Sequence, residues 1–294
     1  AKDRPGLGVG LHLELCSSNP AIWGLRYFFS AAQRARLKPE IERQFERFGS
    51  LGLAPTHVDS HLNIHVHPVI FPLLSRLARD RGVPRVAMST GGALGAACAE
   101  DGVSCAPLPP GSPPRSAMYA GWVTLTHLVH ALGWADDPSP AWAEAAAAVR
   151  ALRGEAGVAV PEARNPAKAL ARRLAGRRLL VYGAAGATEA LATRWRHQFN
   201  ENAKVPAHSA VVPELNHNEI VGWEGSGPAG RDAAVILLRD PGHAPAIATR
   251  LELTGDYAER QGAEVHRLDP PAGGRLARLA WSAAFGDYVS LYLA

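Results

Sequence analysis

The sequence predicts an α/β fold built on parallel strands, and three observations point there. Short apolar or alternating runs recur, among them "GVGLHLEL" (8–15), "RRLLVYG" (177–183) and "AAVILLRD" (233–240). Helix-length amphipathic or alanine-rich segments separate them, so strand and helix alternate along the chain. The chain has 294 residues, 47% hydrophobic and 20% charged, which suits a folded globular protein with room for one large α/β domain or two smaller ones.

Each element has a local reason. Residues 8–15 alternate apolar side chains about His12 and read as a strand. "PEIERQFERFGSLG" (39–52) puts Ile41, Phe45 and Phe48 on one face, a helix closed by Gly49 or Gly52. "THVDSH" (56–61) is a short strand ending in polar residues, and 67–82 is a helix that Pro68 can start. "VPRVAMS" (83–89) is the next strand, completing a βαβαβ order whose functional groups gather at strand carboxyl ends. From Ser89 the style changes: "STGG" (89–92) is a glycine turn feeding a helix, and "SCAPLPPGSPPR" (104–115) a strand running into a proline-rich loop. Helices are expected at 116–134, at 139–154 and after Asn165, whose side chain caps a helix with Pro166 at its first position. Strands at 177–183, 233–240 and 263–268 follow, with helices near 243–253 and from about Gly274.

Composition excludes several classes. No run of eighteen apolar residues exists, so no membrane span is expected. Cys16, Cys98 and Cys105 are widely spaced with no CxxC pair, which argues against a disulfide framework and fits a reducing cytoplasm. Net charge is +4, and its excess sits in residues 1–91 as arginines scattered among apolar residues. That is not a nucleic-acid-binding pattern, and no nucleic-acid partner is expected.

Two stretches carry chemistry. "NENAKVPAHSAVVPELNHNEIVGWE" (200–224) gathers Glu201, His208, His217 and Glu219 among asparagines. Aldose–ketose isomerisation needs a base that moves a proton between adjacent carbons and a group that opens the sugar ring. A partly desolvated carboxylate suits the first role and an imidazole the second. Glu201 and His217 supply that pair with no metal or cofactor, against the competing reading of a polar loop of capping residues. The other stretch, with His57, Asp59, His61, His65 and His67, sits with His12 beside two expected strand ends. Its spacings of four let a helix or turn converge imidazoles on zinc or another divalent metal; the alternative is capping or partly exposed side chains. Weaker signals read blandly. "VYGAAGAT" (181–188) is a strand-to-helix turn, Cys105 a small core residue, and Trp281, Phe285, Tyr288 and Tyr292 a packing stripe.

"RWRHQFNENAKVPA" followed by "PELNHNEIVGWE" resembles the signature of bifunctional phosphoglucose/phosphomannose isomerases, of the sugar-isomerase (SIS) fold. The resemblance runs from about Ser89 to Ala294. It implies a parallel-sheet α/β sandwich, with Glu201 as proton-transferring base and His217 as ring-opening group contributed across a homodimer. It further implies substrate contacts from Arg115, Ser89, Thr90, Asn200 and Lys204, a phosphorylated hexose as substrate, and no cofactor. Pro113 stands where that family's Gln-Pro-Arg motif has glutamine, and of its first SIS domain only "STGG" is present, so weakened phosphate anchoring is expected.

"PGLGVGLHLELC" with "APTHVDSHLNIHVHPVIFPLLSRLARDRGVPRV" resembles part of the YdjC-like carbohydrate deacetylases, including the hopanoid-associated type. Over residues 1–88 this implies a partial (β/α) barrel segment with His12 and His61 as ligands to zinc or magnesium. The Asp-Asp-Phe-Gly motif that supplies that family's carboxylates is not in the sequence. The expected organisation is therefore 1–88 deacetylase-like, 89–150 a remnant of a first SIS domain with connecting helices, and 151–294 an SIS-like isomerase domain. Isomerase chemistry ranks first. A metal-dependent hydrolase of acetylated sugars and a non-catalytic sugar-phosphate-binding protein are the alternatives.

Overall fold

The computed structural model describes residues 10–16, 19–53, 55–83, 86–225 and 227–294. It contains two compact units, Ala1–Ser112 and Pro113–Ala294. Residues 8 and 9 of the first expected strand, and 84 and 85 of the third, lie outside the described residues.

In the first unit, β1 (Gly10–Leu13) pairs in parallel with β2 (His57–Ser60), setting His12 opposite Asp59. Between them lie α1 (Pro20–Phe29), capped by Asn19, and α2 (Ala31–Gly49), capped by Ser30. The expected start of α2 at Pro39 is corrected: the Ser30 hydroxyl accepts from the Gln33 N–H, and the helix runs through Pro39. Its buried Leu37, Ile41, Phe45 and Phe48 recur at three- and four-residue spacing and pack with Leu13, Ile70 and Leu74. After α3 (Ile70–Arg79), strand β3 (Val86–Ser89) crosses through α4 (Gly92–Glu100) to β4 (Ser104–Pro107). The expected single βαβαβ sheet is corrected too. Among the described residues, β3 pairs in parallel with β4 rather than joining β1 and β2, because the α4 crossover brings β4 back beside it. No disulfide joins the cysteines among the described residues.

The second unit begins with α5 (Pro114–Ala131), α6 (Ser139–Ala156) and α7 (Pro166–Leu174). The Asn165 side chain caps α7, accepting from the N–H groups of Ala167 and Lys168. Then come β5 (Arg178–Ala184), α8 (Glu189–Gln198), β6 (Ala207–Val212), α9 (Gly227–Arg231), β7 (Ala233–Leu238), α10 (Pro245–Arg260), β8 (Glu264–Leu268) and α11 (Arg275–Leu293). The four strands form one parallel sheet in the order β6-β5-β7-β8. Every residue of β7 is buried, the pattern of a strand covered on both faces. Alternation sorts the side chains. Leu179, Val181 and Ile236 pack with Leu152, Ala171, Trp195 and Phe285 on the α6, α7, α8 and α11 side. Leu180, Tyr182, Val235 and Leu237 pack with Leu251 and Ala258 of α10 on the other. This is the α/β sandwich expected.

Strand β6 was not expected from the sequence, and α8 was implied only by the strand-to-helix turn read at 181–188. The packing stripe read on α11 is covered within the unit. Ala283 and Val289 are fully buried, and Leu279 and Tyr292 pack against the same core. Gly286 makes this possible, since a β-carbon there would lie 2.3 Å from the ring of buried Trp195. Among the described residues, no helix is long and apolar enough to cross a membrane.

Candidate active site

Glu201 stands on a π-helical turn, Phe199–Ala203, that extends α8. Such a turn carries an extra residue per hydrogen-bonded loop and occurs often at functional positions. Phe199 is fully buried and makes an edge contact with Trp195, so the turn is anchored from below. Lys204 closes it in the left-handed region (φ +58), and its ammonium donates to the Glu201 carbonyl at 2.7 Å. Asn200 Oδ1 accepts from the Ala207 N–H at 2.9 Å, tying the turn to the start of β6. Lys204 and Asn200 thus spend these polar atoms on shaping the turn, while the Glu201 side chain remains 52% exposed.

Arg115 reaches Glu201 from the first turn of α5. Its Nε donates to Asn202 Oδ1 at 3.0 Å, and Nη1 lies 3.7 Å from Glu201 Oε2. At that exposure the ion pair contributes under about 1 kcal/mol to stability. Its interest is chemical, since it sets a fixed cation beside a carboxylate. Two residues singled out from separate motifs are thereby brought together.

His217 is not brought to this pair within one chain. It is exposed, follows the short helical turn Glu214–Asn216 beyond the carboxyl end of β6, and makes no side-chain hydrogen bond among the described residues. Glu201 precedes the amino end of the same strand, so the strand's length, about 20 Å for six residues, separates the two. An open cleft lies at the His217 end, lined by Glu189, Ser209, Glu214, Asn218 and Glu219. There Glu219 accepts from the Tyr182 hydroxyl at 2.7 Å, and Tyr182 accepts from Trp223 Nε1 at 3.2 Å. Burial, then the charge of Glu219, push the Tyr182 phenol well above its usual range, so it acts there as a donor. His208 is exposed on β6.

Sequence reasoning missed the side chains behind Arg115 and Glu201. Asp287 of α11 accepts from Arg194 Nη2 at 2.7 Å, from Gln198 Nε2 at 2.6 Å and from the Tyr119 hydroxyl at 3.2 Å. These residues are spread over α5, α8 and α11, and no local spacing marks them.

Ser89 and Thr90 belong to the first unit. The Ser89 hydroxyl accepts from the Gly91 N–H and donates to the Gly91 carbonyl, closing the turn before α4. In the same unit His12 Nδ1 contacts Asp59 Oδ1 at 2.9 Å, and the His12 and His61 rings meet edge-on at 6.1 Å. Two imidazoles and a carboxylate are the right donors for zinc. Yet among the described residues no three His, Cys, Asp or Glu side chains converge as a metal site, so this set does not fit the expected ion.

Comparison with known proteins matches the two ends of the chain to two different families. Residues 163–294 match the bacterial phospho-glucose isomerase C-terminal SIS domain, and residues 1–122 match the YdjC-like protein family. A bifunctional phosphoglucose/phosphomannose isomerase of Caldicellulosiruptor bescii is 34% identical over 217 residues, 74% of this chain and 64% of that one. A span of that length in 294 residues includes Arg115 and Glu201 whichever end it starts from. A carbohydrate deacetylase of Geobacillus stearothermophilus is 38% identical over 96 residues, 29% of this chain and 39% of that one. The chain therefore spans under two thirds of the length of either relative. Among solved structures, a hypothetical protein from Thermus thermophilus shares the fold at a TM-score of 0.59. It is 13% identical, over 99% of this chain and 79% of that one.

Proposed function

We propose that the protein is an aldose–ketose isomerase of hexose 6-phosphates, interconverting glucose 6-phosphate or mannose 6-phosphate with fructose 6-phosphate. The observation that carries this is the meeting of Arg115 and Glu201 at 3.7 Å. In the reaction, the Glu201 carboxylate takes a proton from the carbon next to the carbonyl. The electron pair left behind forms an enediolate, and the guanidinium of Arg115 stabilises the negative oxygen as it develops. The proton of the neighbouring hydroxyl passes to the former carbonyl oxygen while Glu201 returns its own proton to the former carbonyl carbon, so atoms and charge balance with nothing added. The mechanism invokes no metal or cofactor.

His217 moves the proton that opens the ring, and a second copy of the chain supplies it. The strand-length separation from Glu201 within one chain supports that arrangement. His12 and His61 take no part in this reaction, and among the described residues they do not converge with a third ligand on a metal.

Glu201→Gln keeps the size and removes the base. Conversion of fructose 6-phosphate should fall by at least about 10³-fold, with the circular dichroism spectrum unchanged. Equal turnover in the two proteins would falsify the assignment. Mixing inactive Glu201→Gln with inactive His217→Ala should restore part of the activity, since one mixed site then holds both native groups. No recovery on mixing removes the shared site.

A further inference from the structure

Behind the Glu201–Arg115 pair, five residues close a ring of hydrogen bonds. Arg115 Nε donates to Asn202 Oδ1 at 3.0 Å, and Asn202 Nδ2 donates to Ser290 Oγ at 2.9 Å. Ser290 Oγ donates to the Asp287 carbonyl oxygen at 2.8 Å. The Asp287 carboxylate accepts from Arg194 Nη2 at 2.7 Å, and the same Nη2 reaches the Arg115 carbonyl oxygen at 3.1 Å. Arg115 is thus held at its backbone by one arm and at its guanidinium by the other. Both arms start from one residue of α11.

We propose that Asp287 is the positioning residue of the isomerase site, fixing the first turn of α5 and the π-helical turn so that Arg115 faces Glu201. The inference rests on the isomerase reading given above. Asp287 touches neither Glu201 nor the space in front of it, so its action passes through Arg115 and Asn202.

A simple clamp between α8 and α11 would look different. The same unit holds such a clamp, where Arg278 grips Asp240 with two parallel bonds, Nε to Oδ2 at 2.9 Å and Nη2 to Oδ1 at 3.0 Å. Arg194 forgoes that form. It shares Nη2 between Asp287 and the Arg115 carbonyl, and its Nε stays buried without a hydrogen bond. One guanidinium nitrogen thereby joins α11 to the first turn of α5, which a two-bond pair between α8 and α11 would not do. The remaining carboxylate contacts serve the same end. Gln198 Nε2 at 2.6 Å comes from the residue before the π turn, and the Tyr119 hydroxyl at 3.2 Å comes from the second turn of α5. Gly286, next to Asp287, lets α11 approach Trp195 closely enough for the carboxylate to reach both helices.

The test uses Asp287→Asn in the full chain, with two readouts. In the first, fructose 6-phosphate turnover is measured for wild type, Asp287→Asn, Arg115→Ala and the double variant. Asp287→Asn should lower kcat about 10- to 100-fold with KM within about threefold, as expected for sub-ångström misplacement of a group that acts in the transition state. In the Arg115→Ala background the same change should cost less than about threefold, because nothing remains to be positioned. An equal loss in both backgrounds overturns the proposal. The second readout is amide hydrogen exchange, which needs no turnover. Residues 114–119 and 199–205 should exchange at least about 10-fold faster in Asp287→Asn, with β5 and β7 unchanged. Unaltered exchange in those segments, or uniform acceleration everywhere, overturns it. Should Asp287→Asn fail to fold, Ser290→Ala cuts the other arm and should speed exchange in 199–205 alone; no change there also overturns it. A wild type silent on every hexose phosphate would remove the isomerase reading, while the exchange pattern would still decide whether Asp287 sets this geometry.

Discussion

The two units carry similar chemistry on unequal supports. In the second, a carboxylate and a guanidinium meet on elements braced by a four-stranded sheet, one of whose two inner strands, β7, is buried at every residue. In the first, an imidazole and a carboxylate meet across a two-stranded sheet, with both side chains more than half exposed, 57% and 59%. Helices on both faces of a sheet fix its loops and turns, so side chains from distant segments keep a common geometry. A two-stranded pair leaves water to compete for each contact. A site's definition therefore follows the burial beneath it more than the residue types that compose it.

Two glycines test this comparison directly. A β-carbon on Gly286 would meet the Trp195 ring at 2.3 Å, and one on Gly10 would meet the His57 ring at 2.1 Å. Trp195 is 1% exposed and hydrogen-bonded through Nε1 to the Ser282 carbonyl, so it has nowhere to go. His57 is exposed and can swing aside. Gly286→Ala should destabilise the second unit by about 1–3 kcal/mol, as overpacking does. Gly10→Ala should cost the first unit about 0.5 kcal/mol or less. Equal costs in denaturant unfolding would break the comparison.

The same contrast governs what the sequence made legible. The runs at 177–183 and 233–240 announced themselves because buried parallel strands are continuously apolar, and Asn165-Pro166 announced a helix start by its own cap chemistry. Strand β6 did not, since it is an edge strand whose middle residues are only half-buried and so lacks an apolar run. Helix α8 was announced only by the turn before it, since Leu191, Ala192 and Trp195 are its only buried apolar residues among charged ones. Glu201 and Arg115 were nameable from motifs. Asp287, Arg194 and Tyr119 were not, because only the packing of α5, α8 and α11 gives them a common point. The α11 stripe was legible as packing, because its apolar spacing of three and four announces a buried helix face.

A smaller effect is expected from pH. Burial holds the imidazoles of His243 and His266 below the usual histidine range, with Asp240 and Glu264 respectively opposing the shift. The unfolded chain then takes up these protons first. Their contribution to stability is complete above about pH 6.5 and is lost as pH falls through the lower folded values. Asp240 adds a second window. Burial pushes its carboxyl up, but the Arg278 hydrogen bonds, the Gly242 N–H and the guanidinium charge outweigh burial and hold it low. Its contribution is present above the ordinary carboxylate range and fades only in stronger acid. Unfolding midpoints of the second unit should fall from pH 7.5 to 5.5, and His243→Gln with His266→Gln should flatten that slope. An unchanged slope in the double variant excludes the two imidazoles as its source.

The smallest expected effect, none at all, is also the sharpest separation of the two units. Proton transfer by Glu201 asks nothing of a metal, so EDTA should leave fructose 6-phosphate turnover within experimental error. Deacetylation would need a metal to lower the pKa of its water, so EDTA should remove any acetate release and zinc or magnesium should restore it. Because His12 engages Asp59 and no three ligands converge among the described residues, metal held by the first unit should not survive dialysis. The assay offers fructose 6-phosphate, mannose 6-phosphate and an N-acetylated chito-oligosaccharide in parallel, with and without chelator. Acetate release that EDTA abolishes would move the chemistry to the exposed imidazoles of the first unit and reverse the contrast between the units. Isomerisation that ignores EDTA would keep it at Glu201. Silence on every substrate would leave a sugar-phosphate-binding protein whose second unit keeps the geometry of an isomerase without its turnover.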